Sequence, residues 1–303
     1  MYDLVSIGSI SIDLFFKGES LTYKDNRFQL AVGGKYLASH FFTSVGGGGA
    51  NVAIGVRRQG LRSAVMGVIG NNPFKKIILD RLEQDKVSYS LSDFEDDYYN
   101  VSAIFLTEKG ERSIVHYVTP HMHLLNEKSR LMGITKSKFI YLGNLPEVSL
   151  TERKIFLDFF KKKNITTAVN LGVSDCRRSK DQLKPFLDKV DILIVNGHEF
   201  AELVKAPYKD IHFKENVVRW YIPYLSDQIL VVTEGERGSF AYWQGKVFYQ
   251  KAVKIEKVVD ATGAGDGYTA GFIAEFLKTK DIEKSMLAGS HYAVKILSKL
   301  GAN

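Results

Sequence analysis

Short apolar runs alternate along this chain with stretches whose apolar positions recur every three to four residues. The runs at 2–7, 63–69, 139–142, 166–171, 192–195 and 229–233 read as strands, several too uniformly apolar to have a wet face. The segments at 73–84, 151–161, 182–187, 200–204, 217–225, 268–278 and 283–300 read as helices. Gln244-Gly245 between 239–243 and 246–250 signals a hairpin. Strands alternating with helices predict an α/β fold: a central, mostly parallel sheet with helices on both faces. Two stretches break the alternation. Residues near 14–44 carry short β-like patterns around a Gly33-Gly34-Lys35 turn, and 96–118 reads as a hairpin turning at 108–111. They predict a small second sheet that covers the main one as a lid, within a single domain of residues 1–303.

The chemistry gathers where apolar runs meet glycines. At 258–272 an apolar strand end runs into Asp260-Ala261-Thr262-Gly263-Ala264-Gly265-Asp266 and then into a helical pattern. Glycines let a ligand approach the main chain, and the unpaired N–H groups at a helix start attract anions. Asp266 is an acid at that same place. It reads either as a helix cap or as a base that takes a proton from an attacking hydroxyl beside a transferring phosphoryl group. No Gly-Lys-Ser/Thr follows, so this is not a P-loop, and Tyr268 breaks a dinucleotide fingerprint.

A second glycine turn, Gly46-Gly47-Gly48-Gly49-Ala50-Asn51, opens another helix, with Asn51 able to donate to and accept from a polyol. Asp13 stands at or just past a buried strand end, where open α/β sheets bind ligands. Asn196 and Glu199 follow a buried strand one helical turn apart, a pair suited to phosphate and hydrated Mg²⁺. Thr233, Gly235 and Gly238 follow the next strand and suit phosphate or ribose.

Bulk properties narrow the setting. The 303 residues are 45% hydrophobic and 25% charged, ordinary for a soluble globular protein. The net charge of +7 allows an anionic substrate. It comes from scattered lysines without interleaved aromatic–basic motifs, so nucleic acid is not expected as a partner. The single cysteine, Cys176, fits a reducing compartment. With no signal-peptide pattern and no apolar run approaching ~20 residues, neither secretion nor a membrane partner is expected, and the cytoplasm is the expected location.

Taken in order, these motifs resemble those of the ribokinase-like, or PfkB, family of carbohydrate and nucleoside kinases, over essentially the whole chain. Residues 46–51 are similar to its first signature, 260–266 to its second, 196–199 to its NxxE motif and 233–238 to its TxGxxG turn. The resemblance implies a central sheet of about eight or more strands, a β lid, and ATP with Mg²⁺ as phosphoryl donor. Asp266 would be the general base, and Gly263, Ala264 and Gly265 the anion hole. Asn196 and Glu199 would handle phosphate and the metal's water. Thr233, Gly235 and Gly238 would border the nucleotide, while Asp13, Gly47 and Asn51 would bind the acceptor's hydroxyls.

The chain departs from the family in places. Gly48 stands where ribokinases carry a Lys, and 141–145 lacks the acidic residue that would hold ribose. Ser290 and His291 replace the usual residues near adenine. A monovalent cation beside Asp260 and Thr262 is left open, because the segment that often completes that site would follow Asn303. The expected activity is transfer of the γ-phosphoryl group of ATP to a hydroxyl of a sugar or sugar derivative. A nucleoside kinase of the same fold and a non-catalytic sugar or nucleotide sensor are the alternatives, and a homodimer through the lid is the expected assembly. Arg112, Arg177 and Arg178 are candidates for a phosphate on the acceptor or for exposed charge.

Overall fold

The main sheet segregates its side chains by parity. Strand β1 (Leu4–Ile7) sends Val5 and Ile7 to one face and Leu4 to the other. The same alternation runs through the later strands of the sheet: Ile140 and Leu142 against Phe139 and Tyr141, Leu193 and Val195 against Ile192 and Ile194, Leu230 and Val232 against Ile229 and Val231. Both faces are therefore apolar, which is why these strands read as unbroken hydrophobic runs. The structure, a computed structural model, describes residues 1–18, 23–24, 27–107, 111–121 and 133–303.

After β1 come β2 (Ser11–Lys17), β3 (His40–Gly46), β4 (Ser63–Met66), β5 (Asn100–Leu106), β6 (Arg112–Val118), β7 (Phe139–Leu142), β8 (Thr166–Asn170), β9 (Ile192–Asn196), β10 (Ile229–Thr233), β11 (Ser239–Trp243) and β12 (Lys246–Gln250). The main sheet has eight strands in the order β12-β11-β10-β9-β8-β7-β1-β4, parallel except for β11 and β12. Strand order reverses between β1 and β7, the place where open α/β sheets open a crevice for ligands. Helices α1 (Gly48–Arg58), α2 (Lys75–Gln84), α3 (Leu150–Lys161), α4 (Lys180–Leu187), α5 (Gly197–Val204), α6 (Ala264–Thr279) and α7 (Ile282–Leu297) cover it. α3, α4 and α5 pack on one face; α1, α6 and α7 pack on the other.

α6 is apolar almost all round because it is enclosed by α1, α7 and the sheet. Its neighbours come close through small residues. A Cβ at Gly55 would stand 2.5 Å from Ala270 Cβ, and one at Gly271 would stand 2.6 Å from the Ala288 carbonyl.

The lid is a four-stranded sheet in the order β6-β5-β2-β3. It grows directly out of the main sheet: β2 leaves the end of β1, and β3 runs into α1. Phe15, Ile104 and Leu106 form its small core with Phe42, and Phe16, Phe41 and Phe105 pack together through their rings. The expected turn at 108–110 lies outside the described residues.

Several expectations needed correction. Asp13 is the third residue of β2, inside a lid strand rather than past the end of a main-sheet strand. The stretch 63–69 is two strands, broken at Gly67, where a Cβ would meet the Gly8 carbonyl at 2.5 Å. Pro223 ends the helix expected over 217–225 at Tyr221. Residues 251–263 form no strand, although Val259 donates its N–H to the Leu297 carbonyl at 2.8 Å. Gly33 turns, at φ 75°, in an irregular stretch between short strand pieces rather than between two paired strands. Among the described residues no helix is long and apolar enough to cross a membrane.

One charge cluster lies in the interior. Arg153 of α3 is fully buried and grips Asp175 through two bonds of 2.7 and 2.9 Å, while Arg178 adds a third at 3.0 Å. Arg177 pairs instead with Glu202 at 2.9 Å. Of the three candidate phosphate-binding arginines, Arg177 and Arg178 are thus committed to carboxylate neighbours, while Arg112 begins lid strand β6. Removing one partner of a buried pair leaves an uncompensated charge. Arg153→Met is expected to lower stability by about 3 kcal/mol in urea unfolding. Arg153→Met combined with Asp175→Asn should recover part of that loss.

Candidate active site

The site is built where three backbone segments touch. The end of β1 at Gly8, the start of α1 at Gly49 and the break after β4 at Gly67 lie so close that side chains would not fit: a Cβ at Gly49 would stand 2.6 Å from Gly8. Ser6 ties β1 to α1 by donating its hydroxyl to the Gly49 carbonyl at 2.7 Å. Gly47, at φ 89°, turns the chain out of β3 and against the Ser9 carbonyl. The Gly48 N–H donates to Ser9 Oγ at 3.1 Å. Gly46 must also be glycine, because a Cβ there would overlap the Asp13 carboxylate.

α6 begins at the same level. Gly263 enters it in the left-handed region at φ 73°, and no side chain caps it. Asp266 therefore does not serve as the helix cap. Its Oδ2 accepts the Asn51 Nδ2 hydrogen bond across 2.7 Å, and its Oδ1 lies 3.5 Å from where a Cβ would stand on Gly48. The two glycine turns, more than two hundred residues apart in sequence, face each other through this pair. Burial raises the Asp266 carboxyl above the ordinary aspartate range, with the Asn51 hydrogen bond pulling the other way. The left-handed Gly263, the half-buried Ala264 and the exposed Gly265 form the positive end of α6 in the turn before Asp266.

Asn196 and Glu199 lie at the end of β9 and the start of α5. They form a reciprocal capping box: the Asn196 N–H donates to Glu199 Oε2 and the Glu199 N–H to Asn196 Oδ1, both at 2.8 Å. Burial raises the Glu199 carboxyl, the Asn196 N–H opposes this, and the Asp266 charge raises it further. Tyr141, buried on β7, is raised by burial and then by the charges of Asp266 and Glu199, so it keeps its phenol proton between two carboxylates. His198, adjacent in sequence, stacks on Tyr208 at 4.2 Å and takes no part.

Thr233 ends β10 directly beside Asn196 in register. Gly235 and Gly238 both take positive φ, at 55° and 96°, and the turn closes with the Glu234 N–H on the Gly238 carbonyl at 2.8 Å. Asn196, Glu199 and the 233–238 turn thus lie together at the carboxyl ends of β9 and β10.

Asp13 is buried on the lid side of the site. Burial raises its carboxyl, Ser102, His116 and Ser11 work against this, and Asp260 adds to the rise. Asp260 is itself satisfied: Oδ1 takes the Thr262 N–H and hydroxyl at 2.9 and 2.7 Å, and Oδ2 takes the Gly301 N–H at 3.1 Å. Among the described residues no group of three or more His, Cys, Asp or Glu could hold a metal ion alone. Glu199 still fits a hydrated Mg²⁺, because one carboxylate with waters and substrate phosphates is the usual set for that ion. Cys176 is inert: burial pushes its thiol up to about 12.

The motifs did not disclose the cavity beside this site. About 270 Å³ lies between the lid and the crevice at β1 and β7, lined by Ser9, Tyr98, Asn100, His116, His121 and Asn144 among others. Asn100 Oδ1 and His121 Nε2 are buried there without a hydrogen-bond partner among the described residues. His121 Nδ1 meets Glu95 at 3.0 Å. These side chains lie on the lid strands and the loops beside them, where no local pattern marks them. Asn303 was missed for the same reason: it reaches Asn51 Oδ1 at 2.9 Å across the fold.

The chain is similar to a nucleoside kinase from Methanocaldococcus jannaschii, 25% identical over 99% of this chain and 92% of that protein. It is similar to a fructokinase from Salmonella typhimurium, 26% identical over 76% of each. Its fold is that of the Arabidopsis thaliana ribokinase solved with ribose and ATP, with a TM-score of 0.82, 22% identity, and coverage of 99% of this chain and 94% of that one. The family model described as pfkB family carbohydrate kinase matches residues 1–303, and the chain belongs to that kinase family.

Proposed function

We propose that the protein transfers the γ-phosphoryl group of ATP to a hydroxyl of a sugar or sugar derivative. The observation that carries this is the Asp266 carboxylate at an uncapped helix start, facing the second glycine turn. The acceptor occupies the cavity between lid and crevice, where the two unpaired polar atoms of Asn100 and His121 wait for its hydroxyls. Asp13, Gly47 and Asn51 complete the acceptor end. Ser9, which lines this cavity, accepts the N–H of Gly48, and a Cβ on Gly48 would stand 3.5 Å from Asp266 Oδ1.

Asp266 takes the proton of the attacking hydroxyl. The N–H groups at Gly263, Ala264 and Gly265 stabilise the charge on the transferring group, as phosphoryl transfer requires positioning and charge stabilisation above all. Thr233, Gly235 and Gly238 border the nucleotide, with Asn196 at its phosphates. Glu199 would hold Mg²⁺ through water, and the ion would neutralise phosphate charge. The lid excludes competing water. Exposed Ile114, Val115 and Tyr117 on edge strand β6, with Phe41 on the opposite edge strand β3, support pairing of two lids in a homodimer.

A nucleoside acceptor is the second reading. The Tyr98–His121 ring pair, centroids 6.2 Å apart beside the cavity, offers a surface for a base. Phe15, Phe16 and Phe105 are spent on packing within the lid.

The test is turnover of ATP with Mg²⁺ against sugars, sugar acids, sugar phosphates and nucleosides. Asp266→Asn should cut kcat/KM by about 10²–10⁴-fold on the acceptor that works. ATP binding with no turnover on any acceptor would favour the sensor reading. Because burial raises the Asp266 carboxyl and the base acts deprotonated, activity should fall as pH drops through a midpoint above the ordinary aspartate value of about 3.9. Asn100→Leu should raise the acceptor KM by about fivefold or more while leaving kcat nearly unchanged.

A further inference from the structure

The segment Gly301–Asn303 is buried against the site on three sides. Gly301 donates to Asp260 Oδ2 at 3.1 Å, and Ala302 fills the space that a side chain at Gly263 would need. Asn303, 7% exposed, donates through Nδ2 to the Val45 carbonyl at 2.6 Å and to Asn51 Oδ1 at 2.9 Å. Asn51 in turn donates through Nδ2 to Asp266 Oδ2 at 2.7 Å. The chain of donors runs from Asn303 through Asn51 to the carboxylate.

An amide side chain has a donor end and an acceptor end, and a half-turn about its last bond exchanges them. Turned over, Asn51 would aim its oxygen at the Asp266 carboxylate and its NH₂ at the Asn303 NH₂. With Asn303 in place, that half-turn would lose two hydrogen bonds and create two like contacts. Asn303 is held in turn by the Val45 carbonyl, which has only acceptor character. Its own Oδ1 is buried without a partner, so its orientation answers the two acceptors it serves. Val45 belongs to β3, the lid strand that feeds α1.

Resting on the reading of Asp266 as the base, we propose that Asn303 is a positioning residue for the reaction. It locks the Asn51 amide with its donor end toward Asp266 and ties that lock to the root of the lid. Asn51 favours the charged form of Asp266, against burial. Freed of Asn303, Asn51 samples the reversed orientation, and the carboxylate binds its proton more tightly. A segment that only docked the fold would change stability and leave this titration alone.

The test needs no knowledge of the acceptor. In the full chain with ¹³Cγ-labelled aspartate, the Asp266 resonance is assigned by its loss in Asp266→Asn and followed through a pH titration. Asn303→Ala should move its midpoint up by about half to one pH unit. Asn303→Leu, which keeps the volume and removes the donor, should do the same. In an Asn51→Ala background, Asn303→Ala should move the midpoint by far less. On an acceptor that turns over, the acid limb of kcat/KM should shift with the resonance. An unchanged midpoint in a folded Asn303→Ala or Asn303→Leu protein overturns the proposal. So does an equal shift with Asn51 already removed, or failure of both variants to fold. Full turnover by Asp266→Asn sinks the base assignment instead, a separate outcome that leaves the amide lock measurable by titration.

Discussion

The whole site depends on a contact that only backbone can make. Gly8, Gly49 and Gly67 bring the end of β1, the start of α1 and the break after β4 within van der Waals reach. Because α1 starts flush against β1, both lid strands that flank this joint are anchored at it: β2 leaves β1 and β3 enters α1. A side chain at any of the three would pry the segments apart, and Asn51 would no longer reach Asp266. The glycines lose much conformational entropy on ordering, a cost set against the packing of the apolar cores on both faces of the sheet.

On that joint rests a balance of opposing electrostatic terms. Asp266, Glu199 and Asp13 are all raised by burial, and each is held back by hydrogen bonds from a specific neighbour: Asn51, the Asn196 N–H, and Ser102 with Ser11. The charge of Asp266 raises Glu199 and that of Asp260 raises Asp13, so neighbouring carboxylates add to the effect of burial. The helix start of α6 places a positive end beside Asp266.

Much of the architecture was legible in the chain. The parallel sheet, its helices and the two lid insertions follow from periodicity, since residues buried on both faces leave continuous apolar runs. The errors have local causes. Val259 donates its N–H to the Leu297 carbonyl at the end of α7 rather than to a neighbouring strand, and Val258 is exposed, so no ladder forms. Asp13 lies within a strand because the chain, after leaving β1 at Ile7, re-enters extended pairing at Ser11 as part of the second sheet.

The sequence by itself determined the fold class, the two glycine turns and the base candidate, because glycine freedom, helix starts and apolar periods are properties of residues a few positions apart. Only the tertiary structure decided that Asp266 binds Asn51 rather than capping its helix. It alone placed Asn100 and His121 in the cavity and Asn303 behind Asn51. Asp266 and Asn303 reach Asn51 across more than 200 residues of sequence, and the cavity gathers side chains from separate segments of the chain. Hydrogen bonding is short-ranged and directional, so no local pattern in the chain carries it until the packed cores have fixed where the backbones lie.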